Sequence, residues 1–109
     1  MVVEEAGHIV GFARVCPSRD DTAPAAVGEL ASIYVLPEAW GRGFGRQLLS
    51  SALSGLGEAG FVEAIVWVLE GNHRARRFYE ASGWSDDGAK RRFERGFVLP
   101  EVRYRHSLD

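Results

Sequence analysis

Residues 35–46 read Val-Leu-Pro-Glu-Ala-Trp-Gly-Arg-Gly-Phe-Gly-Arg, and the rest of the chain is best understood from this stretch. The segment that leads into it, Glu29–Leu36, is rich in β-branched and aromatic residues and stops at a proline, so it predicts a strand. Three alternating glycines follow, and from Gly41 to Ala59 large apolar residues recur at spacings of three and four. That period is typical of an amphipathic helix. The pattern therefore predicts a strand, a tight glycine-rich turn and a helix.

The turn and the start of the helix form a candidate anion site. The first N–H groups of a helix have no intrahelical partner, and together with the helix dipole they suit a pyrophosphate. Arg42 and Arg46 could add charge-assisted contacts. The spacing Gly-x-Gly-x-Gly differs from the dinucleotide-binding fingerprint, and no Gly-Lys-Ser/Thr follows, which excludes the nucleoside-triphosphate P-loop. For the glycines alone, the alternative is a helix start without a ligand.

The residues before this stretch predict antiparallel strands. Val2–Glu5 and His8–Cys16 are apolar runs joined by Ala6-Gly7, where a glycine supplies the positive φ of a β-hairpin turn. Residues 17–24 are polar and predict a loop. Within Glu29–Leu36 the large apolar residues break strict alternation by a step of three, which predicts a bulge near Ser32.

The residues after the helix predict a return to the sheet. Phe61–Leu69 is an almost continuous apolar run, typical of a strand buried on both faces, and the order strand, helix, strand implies a parallel crossover. Asn72 is the expected N-cap of a second helix that runs through Ser82. Two antiparallel strands with a turn near Gly96 are expected between Lys90 and Leu108.

Composition narrows the class of protein. The chain has 109 residues and a net charge of −2, which fits one small domain and argues against a nucleic-acid footprint. No apolar run approaches the roughly 20 residues that span a bilayer. The single cysteine, Cys16, excludes an internal disulfide and is typical of the reducing cytoplasm. His8, His73 and His106 have no metal-ligand spacing, so no metal is expected, and the three tryptophans are predicted to be packing residues.

Two motifs resemble one family. Residues 29–38 followed by 41–49 resemble the acetyl-CoA motif of the GNAT family of N-acetyltransferases, and residues 72–84 resemble its second motif. The resemblance covers nearly the whole chain and implies a single GNAT-like domain over residues 1–109. The implied fold is an α+β (mixed α/β) acyl-CoA N-acyltransferase fold, with a central mixed sheet in the order β-β-β-α-β-α-β-β, lacking the usual N-terminal strand and helices. CoA is then expected to lie in a V between two parallel strands.

The resemblance also implies roles for individual residues. Backbone N–H groups of the glycine loop hold the pyrophosphate, the main chain at the end of the strand pairs with the pantetheine arm, and the second helix contacts the cofactor at its start. The residues implied to bind the cofactor are Ile33, Tyr34, Val35, Gly41, Arg42, Gly43, Phe44, Gly45, Arg46, Asn72 and Tyr79. Tyr79 is also implied to be the general acid for the departing thiolate. The sequence departs from the family pattern at Trp40, where the family has Gln or Arg.

The expected function is transfer of an acetyl group from the co-substrate acetyl-CoA directly to an amine, on a small molecule or a protein. An amine must be neutral to attack, and Glu29, on the strand that borders the site, is the candidate base. The alternative for Glu29 is an exposed strand residue without a catalytic role. The alternative function is a non-catalytic CoA-binding or interaction module with the same core. Unpaired edges of an open sheet would also allow a homodimer.

Overall fold

The computed structural model describes residues 1–94 and 96–108. In this part of the chain six strands form one mixed sheet in the order β1-β2-β3-β4-β6-β5, with two α-helices. The elements in chain order are β1 (Val2–Glu5), β2 (His8–Pro17), β3 (Val27–Val35), α1 (Phe44–Glu58), β4 (Glu63–Leu69), α2 (His73–Ala81), β5 (Ser85–Glu94) and β6 (Val98–Ser107). This order confirms the predicted fold class and the N-terminal hairpin.

A bulge interrupts the antiparallel pairing of β2 with β3. Arg14 lies opposite Ser32, whereas the next residue, Val15, lies opposite Leu30. Ala31 is therefore the extra residue of β3, since two residues of this strand face one step of its partner. The predicted bulge near Ser32 is confirmed, one residue earlier in the chain. A bulge bends its strand and increases the local twist, which turns the end of β3 away from its neighbour.

The neighbour on the other side of β3 is β4, and the two strands run parallel, as the crossover predicts. Their pairing covers Val27–Glu29 of β3 and Glu63–Ile65 of β4, and it stops there. Both strands continue, β3 to Val35 and β4 to Leu69. The sheet therefore opens between these two strands from the level of the bulge onward.

Helix α1 begins later than its apolar period predicts. The expected start was Gly41, but the first helical residue is Phe44. Gly41 and Gly43 have φ angles of 79° and 83°, which are left-handed conformations outside the helix. The glycines belong to the turn because an L side chain is strained at such angles. The 3-10 turn Pro37–Ala39 fills the rest of the connection from β3.

The main core lies between the sheet and the helices. Alternate residues of β4, Ala64, Val66 and Val68, are buried in the same cluster as four residues of α1. The buried residues of α1 are Leu48, Leu49, Ala52 and Leu56. Ile65 is buried on the opposite face, so β4 is covered on both faces as predicted. None of the helices in the described residues is long and apolar enough to cross a membrane.

Strand β5 begins at Ser85, and the prediction that the last pair of strands starts at Lys90 was wrong. No element was predicted for residues 85–89, which include Ser85, Asp86 and Asp87. They form a strand because β5 is the outer strand, paired with β6 alone, and a sheet edge tolerates charge. The Asp87 carboxylate binds Arg103 and Arg105 of β6, at 2.6 and 3.2 Å, and so ties this edge to the sheet.

Candidate functional site

A cleft of about 700 Å³ lies beside the end of β3, after this strand has separated from β4. Its size is in the range of small-molecule sites, roughly 300–1,000 Å³. The residues that line it are Ile33, Tyr34, Val35, Ala39, Trp40, Gly41, Gly43, Phe44, Gly45, Arg46, Asn72, Arg74, Ala75, Phe78 and Tyr79. Every residue predicted to bind the cofactor lines this cleft except Arg42.

The first turn of α1 offers unpaired amides to the cleft. The N-cap residue is Gly43, which has no side chain to accept a hydrogen bond from the first turn. The Gln47 N–H donates to the Gly43 carbonyl at 3.1 Å, so the N–H groups of Phe44, Gly45 and Arg46 have no acceptor within the helix. These three donors and the positive end of the helix dipole favour an anion at this end of the cleft.

We expect Gly43→Ala to destabilise the protein and weaken anion binding. A Cβ at a φ of 83° costs about 1–2 kcal/mol or forces the turn to a new conformation, which would redirect the three donors. The measurements are the free energy of unfolding and the affinity for inorganic pyrophosphate.

The matched control is Gly55→Ala, inside α1. Its new Cβ would lie 3.6 Å from the Met1 Cε, an ordinary contact, and alanine is favoured over glycine in a helix by about 0.5–1 kcal/mol. Gly55→Ala should therefore gain stability and keep its pyrophosphate affinity. Equal behaviour of the two variants would contradict the requirement for glycine at residue 43.

The main chain at the end of β3 turns half of its polar groups toward the cleft. The Leu36 N–H donates to the Val10 carbonyl of β2 at 2.8 Å. Hydrogen-bonded pairs alternate along an antiparallel ladder, so Tyr34 is also bonded to β2, whereas Ile33 and Val35 direct their N–H and C=O groups away from it. Since β4 no longer pairs with β3 here, Ile33 and Val35 are the two residues that can pair with an extended ligand.

Trp40 already contacts one of these groups. Its indole Nε1–H donates to the Val35 carbonyl at 2.8 Å. The guanidinium carbon of Arg74, at the start of α2, lies 3.6 Å from the centroid of the Trp40 ring, a close cation–π contact. Trp40 was predicted to be a packing residue, yet its side chain is 47% exposed and lies in the cleft rather than in the core.

The arginines near the cleft differ in their partners. Arg42 forms an ion pair with Glu5 of β1 and donates to the Glu38 carbonyl at 3.5 Å, which holds its side chain outside the cleft. Arg46 and Arg74 line the cleft, and neither has an ion-pair partner among the described residues. The side-chain charge available to an anion therefore comes from Arg46 and Arg74, and any contact of Arg42 would come from its backbone.

Asn72 caps α2, as predicted. Its side-chain oxygen accepts a hydrogen bond from the Ala75 N–H at 3.1 Å. The amide NH₂ group of the same side chain has no bond to the described residues, and Asn72 lines the cleft. Asn72 can therefore start the helix and donate to a ligand at the same time.

Tyr79 lies on the α2 side of the cleft within an aromatic cluster. Its ring centroid is 5.3 Å from that of Phe78, 5.5 Å from that of Trp84 and 6.1 Å from that of Tyr104. The side chain is 5% exposed, and burial raises the pKa of its hydroxyl to about 12. No hydrogen bond joins this hydroxyl to the described residues. Tyr79 is thus a protonated, unengaged donor at neutral pH.

This raised pKa predicts a loss of stability in base. The folded-state pKa exceeds the unfolded value of about 10, so the stability that depends on it is complete below pH 10. Between pH 10 and about 12 only the unfolded chain ionises at this residue, which lowers the free energy of unfolding by about 1.4 kcal/mol per pH unit. Denaturant unfolding at several pH values should show this slope in the wild type and lack it in Tyr79→Phe. Parallel curves for the two proteins would contradict the raised pKa.

Glu29 lies at the last paired position of β3 with β4 but does not line the cleft. Its side chain is 1% exposed, contrary to the alternative of an exposed strand residue. Its Oε1 accepts from the Arg19 backbone N–H at 2.9 Å, and Oε2 accepts from Nε and Nη2 of Arg19 at 3.2 and 2.5 Å. The predicted base is therefore held by Arg19, with one lone pair of Oε1 left over.

Five residues of the cleft were not predicted as binding residues: Ala39, Trp40, Arg74, Ala75 and Phe78. Arg74 lies two positions after Asn72 in the second motif, so its place on the first turn of α2 could have been used to predict it. The contact between Trp40 and Arg74 joins two segments 34 positions apart, and no local pattern indicates it.

The chain is similar to known proteins in sequence and in fold. The model of the acetyltransferase (GNAT) family matches residues 1–84. An uncharacterized N-acetyltransferase of Archaeoglobus fulgidus is 40% identical over 81 residues, which cover 72% of this chain and 54% of that protein. A mycothiol acetyltransferase of Thermobispora bispora is 34% identical over 95 residues, which cover 84% of this chain and 32% of that protein.

Among solved structures, yncA from Salmonella typhimurium, determined with its cofactor acetyl-CoA, superposes with a TM-score of 0.83 at 25% identity. The match covers 99% of this chain and 63% of that one. The chain spans about half the length, or less, of the curated relatives it matches.

Proposed function

Because the chain belongs to the GNAT acetyltransferase family, we propose that it transfers an acetyl group from acetyl-CoA directly to an amine. One observation carries the proposal. A single cleft has along its walls unpaired helix amides, the main-chain groups of Ile33 and Val35 that pair with no neighbouring strand, and the unengaged hydroxyl of Tyr79. These are donors for a pyrophosphate, an edge for an amide-containing arm and an acid for a leaving group.

Different residues of the cleft suit different parts of acetyl-CoA. The amides of Phe44, Gly45 and Arg46 face the pyrophosphate, and the Arg46 and Arg74 side chains supply positive charge. The edge groups of Ile33 and Val35 pair with the pantetheine amides. Asn72 donates from the start of α2.

In the proposed reaction a neutral amine attacks the thioester carbonyl, a C–N bond forms and the C–S bond breaks. The N–H groups on the free edge of β3 stabilise the negative charge that develops on the carbonyl oxygen. The Tyr79 hydroxyl gives its proton to the departing sulfur, and the proton of the amine passes to Glu29 through water, since Glu29 does not line the cleft. The acceptor is an amine of a small molecule or of a protein.

Calorimetric titration of the purified chain with acetyl-CoA tests the proposal. We expect binding in the micromolar range for acetyl-CoA and CoA. ATP should bind more weakly, since it has phosphates for the helix amides but no arm for the edge of β3. A folded chain that binds neither acetyl-CoA nor CoA would contradict the proposed function.

The second candidate is a CoA-binding module that does not transfer the acetyl group. The ion pair of Glu29 with Arg19 favours it, because this contact engages the candidate base. Binding of acetyl-CoA with no acetylated product across a panel of amines would support this alternative. Transfer that depends on Tyr79 would rule it out.

A further inference from the structure

Trp40 and Arg74 together form a strap across the cleft. Trp40 belongs to the connection between β3 and α1, and Arg74 belongs to the first turn of α2, so the pair joins the two walls. The indole N–H is bonded to the Val35 carbonyl at 2.8 Å, and the Arg74 guanidinium lies 3.6 Å from the ring centroid. The strap is therefore fixed at one end by a hydrogen bond and across its face by a cation–π contact.

The carbonyl that the strap occupies belongs to the free edge of β3. Along this edge the main-chain groups of Ile33 and Val35 are directed away from β2, and β4 does not pair with them. A ligand that runs along β3 as an added strand needs these alternate acceptors. The indole N–H of Trp40 and an amide N–H of such a ligand therefore compete for the same oxygen.

On the basis of the proposed function, we infer that Trp40 competes with the pantetheine arm of acyl-CoA for the Val35 carbonyl, and that the Trp40–Arg74 strap limits affinity for this half of the ligand. Ligand binding replaces the hydrogen bond from the Trp40 indole by one from the ligand amide. The loss of the first bond cancels part of the binding free energy that the second contributes. The side chain can leave without disturbing the core, because it is 47% exposed and its contacts lie in the cleft. Release of the ring also frees the Arg74 guanidinium to meet a phosphate.

Trp40→Phe separates the two halves of the ligand. Phenylalanine keeps an aromatic ring for Arg74 but has no N–H for the Val35 carbonyl. A net hydrogen bond corresponds to about a two- to tenfold change in affinity, so we expect Trp40→Phe to bind CoA tighter by about that factor. Adenosine 3′,5′-bisphosphate, which lacks the pantetheine arm, should bind to the wild type and to Trp40→Phe equally.

The matched control is Trp67→Phe. The Trp67 indole N–H also donates a hydrogen bond, to Asp20 at 2.9 Å, and its ring also carries an arginine, Arg91, at 4.2 Å. Trp67 does not line the cleft. The Trp67→Phe variant should therefore keep the wild-type affinities for CoA and for adenosine 3′,5′-bisphosphate.

Tryptophan emission gives a second readout that does not depend on turnover. Saturating CoA should shift the emission of the wild type and of Trp67→Phe, because the Trp40 ring leaves its contacts. The shift should be absent in Trp40→Phe. An unchanged emission spectrum of the wild type at saturating CoA would overturn the inference.

The outcomes distinguish this inference from the proposed function. If Trp40→Phe binds CoA with equal or lower affinity than the wild type, the strap does not compete with the ligand, and the proposed function stands. If CoA and adenosine 3′,5′-bisphosphate change by the same factor, the effect is not on the pantetheine arm and the inference fails. If neither protein binds CoA, both the inference and the proposed function fail.

Discussion

Replacing Tyr79 by phenylalanine should lower the turnover of acetyl transfer by about 10²- to 10⁴-fold, the range that a positioned acid contributes. The hydroxyl is the group removed, and it makes no hydrogen bond to the described residues that folding could lose. The pKa of about 12 keeps this hydroxyl protonated at neutral pH, so the wild type has a proton to give to the leaving sulfur. Steady-state rates with acetyl-CoA and a responsive amine give the turnover, and calorimetry should show unchanged acetyl-CoA affinity.

Tyr104→Phe is the matched control for this prediction. Tyr104 is fully buried beside Tyr79, and its hydroxyl accepts from Arg76 Nε at 3.0 Å and donates to Glu80 Oε2 at 2.6 Å. Loss of these bonds should cost about 0.5–1.5 kcal/mol of stability, since Glu80 is exposed to water and Arg76 keeps its bond to the Glu70 carbonyl. Turnover of the folded Tyr104→Phe protein should stay near that of the wild type. If Tyr79→Phe keeps its turnover, Tyr79 has no part in the chemistry.

Replacing Glu29 by glutamine should lower turnover by about 10²-fold or more if its carboxylate receives the proton of the amine. Glutamine has nearly the same shape and can still accept a hydrogen bond from the Arg19 N–H. It cannot take a proton at neutral pH, so the effect should be on turnover and not on acetyl-CoA affinity. Rates with saturating acetyl-CoA measure it.

Glu101→Gln is the control, since Glu101 is also buried and also bound by an arginine, Arg91, at 2.7 Å. Glu101 does not line the cleft, so its variant should lose stability and keep its turnover. If Glu29→Gln behaves like Glu101→Gln, with lower stability and full turnover, then Glu29 anchors the loop that carries Arg19 and is not the base. That result would leave a water molecule as the acceptor of the proton.

Local sequence patterns predicted most of the helices and strands. The predictions were wrong where contacts between distant residues determine the local structure. The period of α1 and the capping role of Asn72 depend on neighbours within one or two turns, so they are visible in the sequence. The start of β5 is not, because its polar residues join the sheet through Asp87 and two arginines of β6. The glycines before α1 form a turn because their φ angles are positive, and the spacing of apolar residues gives no information about φ angles.

The same distinction holds for the cleft. Its glycines, Asn72 and Tyr79 belong to contiguous motifs, and the sequence therefore predicts them. The position of Arg42 depends on Glu5, which is 37 positions away, and the position of Trp40 depends on Arg74 in α2. Glu29 was assigned a role from its strand, but its partner comes from a loop whose path the sequence does not predict.

The separation of β3 from β4 creates a strand edge in the middle of the sheet instead of at its border. Edges of this kind accept any extended chain, so a protein with an open internal edge risks pairing with the wrong peptide. The single side-chain bond from Trp40 to the Val35 carbonyl closes part of that edge in the absence of a ligand. The part of the edge that stays open recognises a ligand by the spacing of its amides more than by side chains. Most side-chain substitutions at residues 33–35 should therefore weaken ligand binding less than a proline there, which would delete an N–H donor.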